Sequence, residues 1–358
     1  MQLKFLGLIK IALGVILLSP AGVSARESIE LADGADWTHP HSGIVVPAKL
    51  GGYARSGATA FAKDDLDVAL QFDSEDGVDA LTFYVFRNTN GGVPVWFEQA
   101  RWNIEDRDLF GNVSLNQPPA SFTPVNQTYA SGLRAIYSAD EDSPFRSTGI
   151  VLFSVDGWYV KVRASSRTRS AEELSLWIDQ VLSEVSLPQS TALAAELVQD
   201  CSEPLKFRRQ SKDAPKDGAA ALMSSVLGMM AAEKRANGEL NVGNEAVQWC
   251  RDSTLGGAQI VYRANASKDS YLIAIGDNGN AVRVAPDTSA ALLNPESSKK
   301  RDRYGITLIT AVQNTNYVAQ DRLPSPERVV SIINDNRRVS STPTWGDEKS
   351  IGISSDEL

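Results

Sequence analysis

Thr148-Gly149-Ile150-Val151-Leu152-Phe153-Ser154-Val155-Asp156-Gly157-Trp158-Tyr159-Val160-Lys161-Val162, with the segment that follows it to Val185, decides the fold. Ile150 to Val155 reads as a strand, Asp156-Gly157 as a tight hairpin turn, and Trp158 to Val162 as the returning strand. Ser170 stands three residues before Glu173, the spacing of a capping box. Leu174, Trp177, Ile178, Val181, Leu182 and Val185 then recur with helical periodicity. A strand pair feeding a helix that packs back on it is a folding unit. It carries no catalytic signature.

Upstream, Leu66, Val68, Leu70 and Phe72 alternate with Asp67, Ala69 and Gln71 as a half-buried strand does, and Leu81 to Phe86 is the returning strand. Pro94 opens a helix running to about Asp106, Gly111 to Thr128 reads as a long surface connection, and Leu133 to Ser138 is a short strand. The order β-β-α-β-β-β-α predicts an α+β unit with a mainly antiparallel sheet.

Downstream, Leu187-Pro188-Gln189 marks a boundary, and a second α+β domain is expected over residues 189–340 after a first over 26–188. Ala219 to Ala236 predicts a helix with Leu222, Val226, Met229 and Met230 on one side and Gly238 ending it. The methionines there serve as flexible core filling or, less simply, as a ligand-binding face. Strands are expected over Val247–Arg251, Ala258–Arg263, Tyr271–Ile275, Ala281–Val284, Tyr304–Val312 and Asn316–Gln320. Asp277-Asn278-Gly279-Asn280 makes a hairpin turn, and Ser325-Pro326-Glu327 caps a last helix. Gly149 to Leu152 and Gly305 to Leu308 each open a strand pair that leads to a Ser-capped helix, as a diverged tandem duplication or a chance recurrence of this ending would give. Residues 341–358 read as a disordered tail. Its last residues, Ser355-Asp356-Glu357-Leu358, lack the lysine or histidine that opens an ER-retention signal.

Residues 1–25 have the form of a signal peptide. Lys4 and Lys10 bracket the start of a short apolar run, Pro20 breaks it, and Val23-Ser24-Ala25 offers a cleavage site. The alternative is an uncleaved anchor. Without Lys4 and Lys10 the chain keeps 33 of its 35 basic residues against 44 acidic ones. Such a balance, with Lys299-Lys300-Arg301 as its one basic run, disfavours nucleic acid and anionic membrane surfaces as partners. No stable membrane insertion is expected after cleavage. A periplasmic or secreted location follows, and with it a Cys201–Cys250 disulfide closing a loop of about 50 residues, worth roughly 4 kcal/mol.

The pattern of two strands, a helix, a long connection, a strand pair and a closing helix, resting on Gly149 to Leu182, resembles the PsbP-like α/β/α sandwich group over Gly43 to Val185. The resemblance implies a small assembly or accessory domain, mostly without catalysis, and assigns no functional residue.

No P-loop, nucleophile elbow, His-Glu-x-x-His, Cys-x-x-Cys or EF-hand spacing occurs. His39 and His41, the two histidines, share one side of an extended backbone and with Asp33 or Asp36 are candidates for zinc or copper, against a plain proline-containing loop. Asp64-Asp65, Asp73 to Asp76 and Asp140 to Asp142 sit in turns, where solvated charge is the ordinary role and a glycosidase carboxylate pair the special one. Trp96 and Trp102, six apart on one helix, are candidates for a binding surface, or else cover a sheet edge. The expectation is a non-enzymatic, cofactor-free envelope accessory module with a protein partner. A small-molecule or lipid carrier with an interdomain cleft is the alternative, and a hydrolase using the acidic clusters is third.

Overall fold

The computed structural model describes residues 26–207, 209–236, 247–256, 259–287, 289, 303–346 and 350–354. The expected leader, Gly238, Lys299-Lys300-Arg301 and Ser355–Leu358 lie outside these residues. The fold is α+β, with two large, mainly antiparallel sheets and, packed on them, four α-helices that lie in full among the described residues.

The first sheet is built from β1 (Glu27–Ser28), β6 (Gly57–Ala62), β7 (Asp67–Gln71), β8 (Asp79–Arg87), β9 (Ser114–Leu115), β10 (Ala120–Phe122), β11 (Gly132–Ser138), β12 (Ser147–Val155) and β13 (Trp158–Ser166). Two small ribbons, β2 (Trp37–Thr38) with β3 (Val45–Val46) and β4 (Lys49–Leu50) with β5 (Tyr53–Ala54), precede its main strands. Its order is β1-β6-β7-β8-β13-β12-β11-β10, with β9 also on β11. The hairpin β12–β13 is therefore central, joined to β8 on one side and β11 on the other. Its turn residues Asp156 and Gly157 both have positive φ (37° and 85°), which the twist of a two-residue hairpin favours.

Helix α1 (Val93–Glu105) lies on one face of this sheet and α2 (Ala171–Glu184) on the other. Alternation assigns the faces. Val151, Phe153, Val160 and Val162 meet Leu174, Trp177, Ile178 and Val181 of α2, while Ile150, Leu152 and Tyr159 meet Trp96 and Ala100 of α1. The Ser170 hydroxyl accepts from the Glu173 N–H at 3.2 Å and the Glu173 carboxylate accepts from the Ser170 N–H at 2.7 Å, closing the predicted capping box. Trp177 donates to the Gly51 carbonyl at 2.8 Å and pins the early ribbons to the helix.

The second sheet runs almost in chain order. It holds β14 (Gln199–Asp200), β15 (Trp249–Gly256), β16 (Gln259–Ala264), β17 (Tyr271–Ala274), β18 (Ala281–Pro286), β19 (Tyr304–Ile309), β20 (Gln313–Gln320), β21 (Arg338–Pro343) and β22 (Gly352–Ile353). The change of sheet falls between Glu184 and Gln199, around the expected boundary at 188/189. Helices α3 (Gly218–Ala236) and α4 (Pro326–Asn334) complete this region, and Ser325 caps α4 by accepting from the Arg328 N–H.

Directly opposed residues of antiparallel strands point the same way, so the pairings define its two faces. Val261, Ile273, Val282 and Leu308 follow one another across the outer face, where Val329 and Ile332 of α4 cover them. Tyr262, Leu272, Arg283, Thr307, Asn316 and Ser340 cross the inner face as one row. Both α1 and α3 touch that row. Gln99 donates to the Tyr262 hydroxyl at 3.1 Å, and Ser225 of α3 shares a 2.8 Å hydrogen bond with Ser340. Helix α1 is thus held between the two sheets, in one apolar cluster that includes Ile260, Tyr262, Leu272, Ala274 and Ala281.

The structure corrects two expectations and adds a strand that the sequence pattern did not announce. Residues 341–358 are not a plain disordered tail, because Ser341–Pro343 continue β21 along β20 and Gly352–Ile353 pairs with Ser340–Ser341. Gly57–Ala62, whose small residues hide any strand pattern, forms β6. The surface connection from Gly111 to Thr128 contributes two short strands to β11. Among the described residues no helix is long and apolar enough to cross a membrane.

Candidate ligand cavity

The inner face of the second sheet changes character along its rows. Ala274, Ala281, Ile309, Asn314 and Thr342 form the row next to the one ending in Ser340. Both rows are apolar at β16–β17 and polar at β20–β21. The apolar end packs on α1. The polar end lies under α3, whose lining residues apart from Leu227 are small: Ala221, Ser224, Gly228, Ala231 and Ala232. These side chains leave the space between helix and sheet partly unfilled, and a cavity of ≈ 410 Å³ results.

Part of this polar surface is satisfied internally. Asn316 donates to Ser340 at 3.1 Å and accepts from Thr307 at 2.8 Å. Asn314 and Thr342, directly opposite each other, are different. The side-chain oxygen of each is buried and has no hydrogen-bond partner among the described residues. Thr342 is 1% exposed. An unpartnered buried polar oxygen costs about 1–3 kcal/mol, and these two, sealed from solvent beneath the cavity floor, carry that cost within the fold.

Charge in the cavity is also uneven. Arg87, Arg283 and Arg303 line it with a single carboxylate, Asp287, which pairs with Arg303 at 3.0 Å. Arg87 comes from the first sheet. It donates to the Ala311 and Thr344 carbonyls at 2.8 and 2.7 Å and stacks on Trp345 at 4.9 Å. Arg283 is exposed and, among the described residues, has no hydrogen bond or ion pair. Tyr317 also lines the space, with its phenol pushed above the usual range by burial.

The Asp277 to Asn280 hairpin holds the two sheets in place beside the cavity. Thr89 and Asn90 both donate to the Gly279 carbonyl, at 3.2 and 2.7 Å. A Cβ on Gly279, whose φ is +88°, would stand 3.3 Å from the Arg87 carbonyl, so the approach requires glycine. Lys161, buried in the first sheet over the Tyr84 ring, pairs with Asp277 at 2.8 Å. Asn278 donates to Asp67 at 3.0 Å. Burial pushes the Asp67 carboxyl up to about 7, against the opposing pull of Asn278 and Lys161.

The residues singled out in the sequence lie elsewhere. Cys201 and Cys250 form the expected disulfide, with Cα atoms 4.9 Å apart, joining β14 to β15. Trp96 is fully buried between the sheets and donates to the Asn90 carbonyl at 3.0 Å, so it offers no free surface. Trp102 is half-buried against the same cluster, with its indole N–H unpartnered among the described residues.

His39 and His41 do come together, with ring centroids 5.6 Å apart. Their Nε2 atoms donate to the carbonyls of Asp65 and Asp64, at 3.0 and 2.8 Å, and hold those two residues at positive φ. His39 Nδ1 accepts the Ser42 N–H at 3.1 Å, and burial lowers the ring's pKa to about 4. The two imidazoles brace a loop, and His41 stacks on Trp158. Among the described residues no group of three or more His, Cys, Asp or Glu side chains is placed to hold a metal. In the acidic turn, Asp76 accepts from the Ser74 hydroxyl and the Val78 N–H, which keeps its carboxyl below the usual range.

Sequence reading missed Arg87, Arg283, Asn314 and Thr342. The available signal was the alternation Asn314-x-Asn316 and Ser340-x-Thr342-x-Thr344, which reads as a solvated strand face until a helix is seen to cover it.

No family model and no curated protein matches this sequence. A solved structure from Bacteroides thetaiotaomicron VPI-5482 aligns with 70% of this chain and 89% of its own at 8% identity, with a TM-score of 0.20, too low to carry any inference about fold or role.

Proposed function

We propose that this chain is an exported, non-catalytic binding protein that holds a small molecule in the cavity between α3, the second sheet and the end of β8. The observation that carries this reading is the space of ≈ 410 Å³ itself, lined by Arg87, Arg283 and Arg303 against one carboxylate, Asp287. That volume lies in the usual range for small-molecule sites. Arg87 and Thr89 from the first sheet region complete the wall, as the carrier reading of the sequence expects of a cleft between two units. The leader-like residues 1–25 and the disulfide support a periplasmic or secreted location.

Native mass spectrometry of the protein purified from its own envelope tests this directly. A discrete extra small-molecule mass is expected on the wild type and is expected to vanish in Gly228→Leu, which places a side chain in the cavity. An empty wild type accompanied by a stoichiometric protein would instead support docking on an envelope partner. That second reading draws on the PsbP-like resemblance and on Leu222, Leu227 and Met230, which α3 leaves 45%, 38% and 50% exposed.

A further inference from the structure

We propose that Arg283 anchors the ligand of the cavity and that this ligand is an organic monoanion, a carboxylate on an uncharged, mainly apolar body; this rests on the small-molecule reading above. The pairing of β18 with β19 sets the floor around the anchor. Arg283 stands opposite Thr307, and the next inner-facing pair is Ala285 with Gly305, so the floor beside the guanidinium is nearly bare. Beyond that step Asp287 and Arg303 close the floor with their ion pair at 3.0 Å. The helix side of the space is lined by Gly228, Ala231 and Ala232.

The polar groups around Arg283 satisfy one another. Asp287 accepts from Arg303, Ser224 and Ser289, while Asn316 accepts from Thr307 and donates to Ser340. Arg87 donates to the Ala311 and Thr344 carbonyls. The Asn314 and Thr342 oxygens are sealed beneath the floor and offer a ligand nothing. Arg283 is left over, an exposed guanidinium on the lining with no hydrogen bond or ion pair among the described residues. Three arginines against one aspartate give the described lining a formal charge of +2, in a chain whose net charge is -9. Such a local reversal of sign draws an anion and repels an ammonium group. One open planar fork matches the two oxygens of a single carboxylate. The other two arginines have partners within the fold, so a second negative charge on the ligand gains little. Away from the fork, Leu227, Ala231, Ala232 and Ile309 supply an apolar surface for a carbon skeleton.

Titration calorimetry on the mature chain tests the class with hexanoate, cyclohexanecarboxylate and benzoate. Hexanamide and benzamide keep the skeleton without the charge, hexylamine reverses the charge, acetate lacks the body, and hexyl phosphate carries a second charge. At least one of the three carboxylates is expected to bind about tenfold or more tightly than the amides, hexylamine and acetate, and no more weakly than hexyl phosphate. Arg283→Gln is expected to abolish the advantage over the amide, and Arg283→Lys to restore part of it. Because Arg283 is exposed, neither substitution disturbs the packing of the fold. Amides that bind as well as their acids, tighter binding of hexyl phosphate, no binding of any of the three carboxylates at millimolar concentration, or indifference to Arg283→Gln overturns the class. The native mass measurement separates that failure from failure of the cavity reading. A small-molecule mass that still vanishes in Gly228→Leu leaves the cavity reading standing, and its absence from the wild type removes both.

Discussion

The two ends of one sheet face do opposite work. At β16–β17, Tyr262, Leu272 and Ala274 close on α1 and bury a continuous apolar cluster. At β20–β21, Asn314, Asn316, Ser340 and Thr342 sit under a helix that touches them through Ser225 and otherwise leaves a cavity beside them. The first end joins the sheets and the second leaves room between them. The difference teaches that stability and a site can share one surface when the side-chain rows change chemistry partway along.

Substitutions at the two ends should therefore differ in size and in sign. The largest effect is expected from Trp96→Ala in the packed end, a loss of about 3–5 kcal/mol in denaturant unfolding. A loss below about 1 kcal/mol would mean that α1 does not hold the sheets together. Next, Lys161→Ala leaves Asp277 and Asp67 without their buried cation and is expected to cost about 3 kcal/mol, while Lys161→Met, which keeps the stem over Tyr84, should cost less. Equal losses for the two would assign the whole effect to charge.

The third prediction is a pH slope. Asp67 titrates near 7 in the folded protein, well above the roughly 3.9 of an unfolded aspartate. The folded state therefore holds the proton more tightly, and stability should decline as pH rises from about 4 through 7 and level off above. Asp67→Asn is expected to remove this decline and to gain at least about 1 kcal/mol at pH 8, measured by urea unfolding across that range. His39 has the reverse sign. With a folded pKa of about 4 it contributes stability that is present above about 6.5 and lost as pH falls toward 4, a limb that His39→Asn should flatten.

The smallest change is the most telling for the cavity end. Thr342→Val keeps the shape and removes an unpartnered hydroxyl, so in the ligand-free protein it is expected to stabilise by about 1 kcal/mol. A loss of similar size would show that the hydroxyl is satisfied within the fold.

Much of the fold was legible in the sequence, because local chemistry specified it. Asp156-Gly157 and Asp277-Asn278-Gly279 name their turns, Ser170 and Ser325 name their helix starts, and Cys201 has one possible partner. The layer order was not legible. Trp96 and Ala100 show that α1 has an apolar side, but nothing local says that a second sheet, meeting it from Trp249 onward, covers that side. The cavity was hidden for a related reason. Polar residues at every second position predict a solvated face, and only α3, packed over β21 from about a hundred residues upstream, turns that face inward. The strands β21 and β22 at the end of the second sheet escaped notice because Ser, Thr and Gly carry no alternation of hydrophobicity for a strand pattern to rest on.

The place of α1 also sets a timetable for synthesis. The first sheet and α2 are complete by Glu184, but Trp249, the first residue of the second sheet to pack on the cluster around Trp96, follows 65 residues later. At about 5–20 residues per second the growing chain carries one face of α1 uncovered for several seconds. During that interval the nascent first half presents an adhesive surface, and a chain cut short after Leu187 would keep it for good.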